Sequence, residues 1–329
     1  MSAATATSLD DLLAGASERL AMKTSDSKSG ALFERVRIGG ESFVVKHLHV
    51  DDDWIQRLTG DLGCRPAMLW RAGILDDLPA CLDHAIVGVA TGLGRNGWGA
   101  ALLMRDVGPW LVPEGDDPVS LDQELRFLDH MAALHAHFWG WQDAFDLQPP
   151  SHRYLYFSAV NLSTETARPE VEAVPRIATN GWERFADLSP IASDVLALRA
   201  APWPLVDALG ALPQTFLHGD WKMGNLGSHP DGRTILIDWA TSGRGNGASE
   251  LAWYLSINAA RLPHTKEAAI DAYASSLRGH GIATDGWWDA AIDLALLGGL
   301  VQFGWEKALG DRAELAWWED RARAGLARL

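Results

Sequence analysis

The chain has 329 residues, 47% hydrophobic and 22% charged, with a formal net charge of −15. This length favours two domains or lobes over one core, and the balance excludes a disordered chain. The acidic surplus disfavours nucleic acid and anionic membrane surfaces, which select basic patches, and no uninterrupted apolar run approaches the roughly 18 residues of a membrane span.

In chain order, Met1 to Leu13 is polar and shows no secretory signal. Ala31 to Ile38 alternates, with Leu32, Val36 and Ile38 opposed to Phe33, Arg35 and Arg37. Gly39-Gly40 is a two-residue hairpin signal, and Ser42 to Leu48 resumes as a strand. Asp51 to Leu58 and Pro66 to Leu75 read as short helices. Ala85 to Ala90 and Trp98 to Met104 read as a further hairpin, separated by Gly92, Gly94 and Gly97. Linker chemistry follows Arg105, with Gly108, Pro109, Pro113, Gly115 and Pro118.

Ser120 and Gln123 form a capping-box pattern before a helix whose apolar stripe is Leu121, Leu125, Leu128, Met131, Leu134 and Phe138, with Gly140 as its stop. Gln148 to Trp182 contains prolines and no clear period, so it is expected to be irregular. From Thr265 onward, three helical segments are split near Gly279–Gly286 and Gly310. The order is a β-rich part, a linker and a mainly helical part. Cys64 and Cys81 fit neither a disulfide framework nor a zinc spacing, so a reducing, cytoplasmic setting is expected. The 16 Trp residues are scattered, as core or interface fillers.

Chemistry concentrates between Thr215 and Glu250. After Thr215–Leu217 comes His218-Gly219-Asp220-Trp221-Lys222-Met223-Gly224-Asn225, then a hairpin with a Pro230-Asp231-Gly232 turn that returns into Asp238-Trp239. A hairpin of this size puts Asn225 and Asp238 at adjacent strand ends, where an amide and a carboxylate supply hard oxygen ligands suited to Mg²⁺. Asp220, on the loop before, is free to accept a hydroxyl proton. His135 and His137 are two apart and face different sides of a helix, so core packing or interaction with the helix C-terminal dipole is the reading there. Asp51-Asp52-Asp53 reads as a solvated helix N-terminus rather than a metal cluster.

The His-x-Asp-x4-Asn pattern, the hairpin and the Ile-Asp resemble the catalytic loop and metal segment of the kinase fold. Gly after His, and Asp-Trp in place of Asp-Phe-Gly, make it similar to the aminoglycoside phosphotransferase and choline kinase group. Glu250-Leu251-Ala252 and Leu134-His135-Ala136-His137-Phe138-Trp139 extend the likeness.

The resemblance implies an α+β, two-lobed protein-kinase-like fold. Residues 1–106 would be a nucleotide-binding lobe with a small antiparallel sheet, and residues 107–329 a mainly helical lobe with the catalytic loop and acceptor site. It implies transfer of the γ-phosphate of ATP or GTP, with Mg²⁺, to a hydroxyl of an aminoglycoside, amino-sugar or similar metabolite, by a monomer or homodimer with no nucleic-acid or membrane partner. Asp220 resembles the catalytic base, Asn225 and Asp238 the Mg²⁺ ligands, and His218 a structural brace. Lys222 would stabilise charge on the transferring group. Lys46 in Val44-Val45-Lys46 resembles the strand lysine. Ser25 to Gly30, with Ser27 and Ser29, would cover the nucleotide, and Leu102 to Asp106, with Met104, would form the adenine hinge.

No Glu follows Lys46 where the family's helix Glu is expected; Asp53 and Asp61 are the candidate partners, and Arg65-Pro66 stands where relatives often show Arg-Glu. Gln148 to Trp182 and the C-terminal helices are the expected specificity elements, with Glu250 and the C-terminal acids candidates to bind a cationic group. Two alternatives stay open: a nucleotide-binding pseudokinase without turnover, and a metal-dependent hydrolase built on His218, Asp220 and Asp238.

Overall fold

The computed structural model describes residues 4–22, 30–170 and 172–329. Strands β1 (Ala4–Ala6), β2 (Ala16–Met22), β3 (Leu32–Ile38) and β4 (Glu41–Leu48) open the chain, with helix α1 (Leu9–Leu12) between the first two. Helices α2 (Trp54–Thr59) and α3 (Arg65–Arg71) lead to β5 (Leu82–His84), β6 (Ile86–Leu93) and β7 (Gly99–Arg105). Then come helices α4 (Leu121–His137), α5 (Pro150–Leu155), α6 (Ala159–Thr166), α7 (Ala173–Leu188), α8 (Ala192–Ala200) and α9 (Trp203–Gly210). Short strands β8 (Thr215–Leu217), β9 (Leu226–Ser228), β10 (Thr234–Leu236) and β11 (Gly243–Gly245) precede α10 (Gly247–Ile257), α11 (Lys266–Gly279), α12 (Trp288–Leu309) and α13 (Arg312–Leu326).

The chain divides into two compact units. The first combines Met1–Asp116 with Met223–Ser242, and the second combines Asp117–Lys222 with Gly243–Leu329. The hairpin after the catalytic-loop motif therefore packs with the β-rich part of the chain, beyond the expected boundary at residue 106.

In the first unit, a six-stranded sheet runs β1-β6-β7-β4-β3-β2. It is antiparallel except at its edge, where β1 joins β6 in parallel. Gly39 and Gly40 turn β3 into β4 with φ of 60° and 88°, a pair of left-handed residues that a type I′ hairpin needs. Val36, Val45, Ala90, Ala101 and Leu103 bury one face of this sheet with Leu12 and Leu13 of the α1 segment. Val36 faces this core as the alternation predicts, whereas Leu32, first in its strand, stays 62% exposed. A three-stranded sheet holds β10 between β9, antiparallel, and β5, parallel. Ala85, Val107 and Ile235 form the small core beside it.

The second unit is helical, with α12 packed against α7, α10 and α13. Glycines let these helices approach closely: a Cβ on Gly181 would stand 2.4 Å from the Trp305 carbonyl oxygen. Ser120 caps α4 by accepting a hydrogen bond from the Gln123 N–H at 3.2 Å, as the sequence predicts. The buried face of α4 runs through Glu124, Phe127, Leu128, Met131, Leu134 and His135, while Leu121 and Leu125 are exposed, so the apolar stripe starts one turn later than expected.

The expectation that Gln148 to Trp182 is irregular is overturned, since α5, α6 and much of α7 occupy it. Pro150 is at the start of α5 and Pro175 is in the first turn of α7, where the helix needs no N–H, and Ser158 caps α6. The three C-terminal helices fall where the sequence put them, with Thr265 and Asp311 as caps. Trp54, Trp221, Trp239 and Trp318 are fully buried. Among the described residues, no helix is long and apolar enough to cross a membrane.

Candidate active site

In the first unit, Lys46 on β4 is opposite Phe33 of β3 and Leu102 of β7. It is 6% exposed, and its Nζ donates to Asp238 Oδ1 at 2.9 Å. Asp238 follows β10 with a left-handed φ of 65°, a conformation that Asp tolerates better than most residues. Asn225, 5% exposed, ends the turn before β9, and its carbonyl accepts a hydrogen bond from the Ile237 N–H at 3.1 Å. The open end of one hairpin thus carries both the amide and the carboxylate. Lys46 and Asp238 share an apolar cleft with Ile86, Leu102, Met104 and Leu236.

The acid that meets Lys46 is Asp238, and the candidate partners Asp53 and Asp61 serve other groups. Asp53 caps α2 by accepting from the N–H groups of Ile55 and Gln56 at 2.8 and 3.1 Å. Asp61 accepts from the Arg65 N–H, and burial pushes its carboxyl above the usual range against the pull of the Arg65 charge. Arg65 donates to the carbonyls of Thr59 and Ala240 at 2.9 and 3.3 Å, which braces the segment two residues past Asp238. Met104 lines the cleft. Asp106 is instead bonded to Ser42 Oγ at 3.1 Å and paired with Arg35 at 3.2 Å. Ser27 and Ser29 lie outside the described residues.

In the second unit, the antiparallel pair β8 and β11 frames the loop that carries Asp220. Glu250 near the start of α10, fully buried, holds this loop. Its Oε2 accepts from the His218 N–H at 3.1 Å and its Oε1 from the Gly219 N–H. His135 is also fully buried, with Nε2 at 2.9 Å from Glu250 Oε2 and Nδ1 at 2.7 Å from the Tyr273 hydroxyl. Burial alone would raise the Glu250 carboxyl. The hydrogen bond from His135 and the positive charges of His135 and Arg153 outweigh it and hold the group below its ordinary range. Glu250 is therefore not available to a cationic ligand, which corrects that expectation.

His218 braces the loop as expected, with Nδ1 accepting from the Asp220 N–H at 3.2 Å. Asp220 Oδ1 accepts from the Trp253 indole at 3.0 Å, and Lys222 Nζ is 3.1 Å from Oδ2. Arg153 donates to the Gly219 carbonyl at 3.1 Å. Neither Trp253 nor Arg153 was foreseen. Trp253 sits in a continuous apolar run of α10, and Arg153 in a stretch read as loop; neither carries a local signal.

The first unit thus holds a cation with an amide and a carboxylate, and the second unit holds a carboxylate with its own cation. Residues 28–284 match the model of the phosphotransferase enzyme family. The chain belongs to this family. Its fold is α+β, and the hairpin and loop just described fall inside the matched range. No curated protein matches the chain at a significant level. Similar solved structures are distant. A microcompartment-associated aminopropanol kinase has 16% identity and a TM-score of 0.49, covering 95% of this chain and 90% of its own. Choline kinase LicA from Streptococcus pneumoniae has 14% identity and a TM-score of 0.44, covering 97% and 96%. Amicoumacin kinase hAmiN, solved in complex with AMP-PNP, Ca²⁺ and Ami, has 15% identity and a TM-score of 0.47, covering 91% and 86%.

Proposed function

We propose that this phosphotransferase moves the γ-phosphate of ATP, or GTP, to a hydroxyl of a dissolved small molecule in the cytoplasm. An aminoglycoside, amino-sugar or similar metabolite is the acceptor class. Residues 1–106, joined by the hairpin of residues 223–242, form the nucleotide-binding lobe, and the helical remainder selects the acceptor. The observation that carries this reading is the pair between buried Lys46 and half-buried Asp238 at the open end of the Asn225–Asp238 hairpin.

Asn225 and Asp238 would hold Mg²⁺. This is an oxygen-only donor set, suited to a hard cation that keeps waters and phosphate oxygens as its remaining ligands. When bound, the ion offsets charge on the phosphates. Lys46 orients the nucleotide phosphates, beside a cleft whose apolar walls suit an adenine ring. Asp220 accepts the proton of the acceptor hydroxyl, and Lys222 offsets charge on the transferring group. Transfer of this kind needs positioning and charge neutralisation more than covalent chemistry, so these five side chains form a sufficient set.

The test is nucleotide-dependent phosphorylation across aminoglycosides, amino-sugars, sugars, choline and nucleosides, with wild type and Asp220→Ala. Transfer to a panel member that falls by about two orders of magnitude or more in the variant supports the reading. Binding of Mg²⁺ and nucleotide with no transfer to any acceptor favours the pseudokinase instead. Absence of nucleotide binding overturns the proposal.

A further inference from the structure

Two of the groups that meet the Asp220 carboxylate differ in character. Lys222, at Oδ2, has a side chain that is 31% exposed and belongs to the loop itself. Trp253, at Oδ1, is 7% exposed and belongs to helix α10. Its ring is packed on two sides. The Arg153 guanidinium carbon stands 5.8 Å from the ring centroid, and the Phe303 ring is 4.9 Å away, edge-on. Arg153 is itself 5% exposed and donates to the carbonyl of Gly219, the residue before Asp220. One guanidinium therefore braces both the loop backbone and the indole that grips the carboxylate.

We propose that Trp253 is a positioning residue for phosphoryl transfer: its indole N–H fixes Oδ1 of Asp220 and so presents Oδ2 to the acceptor hydroxyl. The inference rests on the reading of Asp220 as the base. A packed donor on one oxygen narrows the rotation of the carboxylate about its side-chain bonds, and a misplacement of about 1 Å at a reacting group can cost on the order of 100-fold in rate. The half-buried Lys222 ammonium, on a long flexible stem, is the donor that yields Oδ2, whereas the packed indole stays. In the step itself the acceptor O–H bond breaks, and its proton goes to Oδ2. The acceptor oxygen bonds to the γ-phosphorus. The bond from that phosphorus to the bridging oxygen breaks, with its electron pair leaving on the nucleoside diphosphate. Asp220 then releases the proton to solvent.

Two measurements on the full-length chain test this. In the ¹⁵N-labelled protein, the indole N–H resonance lost in Trp253→Phe identifies Trp253. It is expected to shift in Asp220→Asn, and an unmoved resonance overturns the contact. The second measurement is ADP release from Mg·ATP with water as acceptor. In W253F, which keeps an aromatic ring but loses the N–H, kcat is expected to fall about 10- to 100-fold, the worth of one hydrogen bond to a charged group. KM for ATP should stay within about twofold, and W253H, which restores a donor, should recover part of the loss. Wild-type kcat in W253F, or a KM change that accounts for the loss, overturns the role; W253H also serves should W253F fail to fold. Asp220→Ala separates the two claims. If it keeps wild-type ADP release, the reading of Asp220 fails; if it loses activity while W253F does not, only the role of Trp253 fails.

Discussion

A buried ammonium needs an anion within reach, and Lys46 finds Asp238 at 2.9 Å. Replacing Lys46 by Met leaves that carboxylate without its cation and, on the proposed function, removes the charge that orients the nucleotide phosphates. Steady-state kinetics with varied ATP should show kcat/KM lowered by about 100-fold or more. Lys46→Arg should not restore it, since a planar fork cannot occupy the place of a compact ammonium.

Two buried glutamates behave oppositely with pH. Glu250 is held below its ordinary pKa, so the stability it contributes is present above the unfolded value near 4.5 and is lost as pH falls through the folded one. Glu124 is fully buried, with His264 Nε2 at 2.8 Å; burial pushes it up to about 7, only partly offset by the Tyr254 hydroxyl. Between pH 4.5 and about 7 the unfolded chain ionises there and the folded one does not, so Glu124 costs stability as pH rises. Urea titrations of Glu124→Gln should therefore show a gain over wild type that is small at pH 4.5 and grows toward pH 8. Glu250→Ala, which strips a buried partner from His135 and two backbone N–H groups, should lose about 3–5 kcal/mol at neutral pH. At this scale the loop and hairpin that carry Asp220, Asn225 and Asp238 were legible because their spacing is local, from His218 to Asp238. The partner of Lys46 was not, because it lies 192 residues away and no local pattern encodes a contact at that range.

Among the elements, the close crossing of α7 and α12 depends on Gly181. Its missing Cβ would collide with backbone rather than with a movable side-chain tip. Gly181→Ala should therefore destabilise by about 1–3 kcal/mol despite its better helix propensity, as denaturant midpoints would show. The helices with an amphipathic stripe and a capping residue, α4, α11 and α13, were readable from sequence. Those between Pro150 and Trp182 were not. Proline marks a break in most contexts, and only the cap geometry reveals that Pro150 opens a helix. The hairpins at Gly39-Gly40 and Pro230-Asp231-Gly232 were legible because their turn residues are specific to the bend.

For the whole molecule, the first unit is not continuous in sequence, since residues 223–242 complete it. A fragment ending at residue 116 lacks β9 and β10, so β5 loses its sheet partner and Ala85 and Val107 lose Ile235. That fragment should give no cooperative unfolding transition by circular dichroism, whereas adding residues 223–242 through a short linker should restore one. The division into a β-rich and a helical part was readable from composition. The return of the hairpin to the β-rich part was not, because burial of Ile235 against Ala85 and Val107 leaves no mark on the local sequence of either.

The same discontinuity sets a clock during synthesis. Residues 117–242 must be added after the first stretch of the unit has left the ribosome, which at about 5–20 residues per second takes on the order of ten seconds. For that interval the nascent chain carries strand β5 without the strand it pairs with, and Lys46 without the carboxylate that neutralises it. That is the window in which a chaperone holding the unit would matter most.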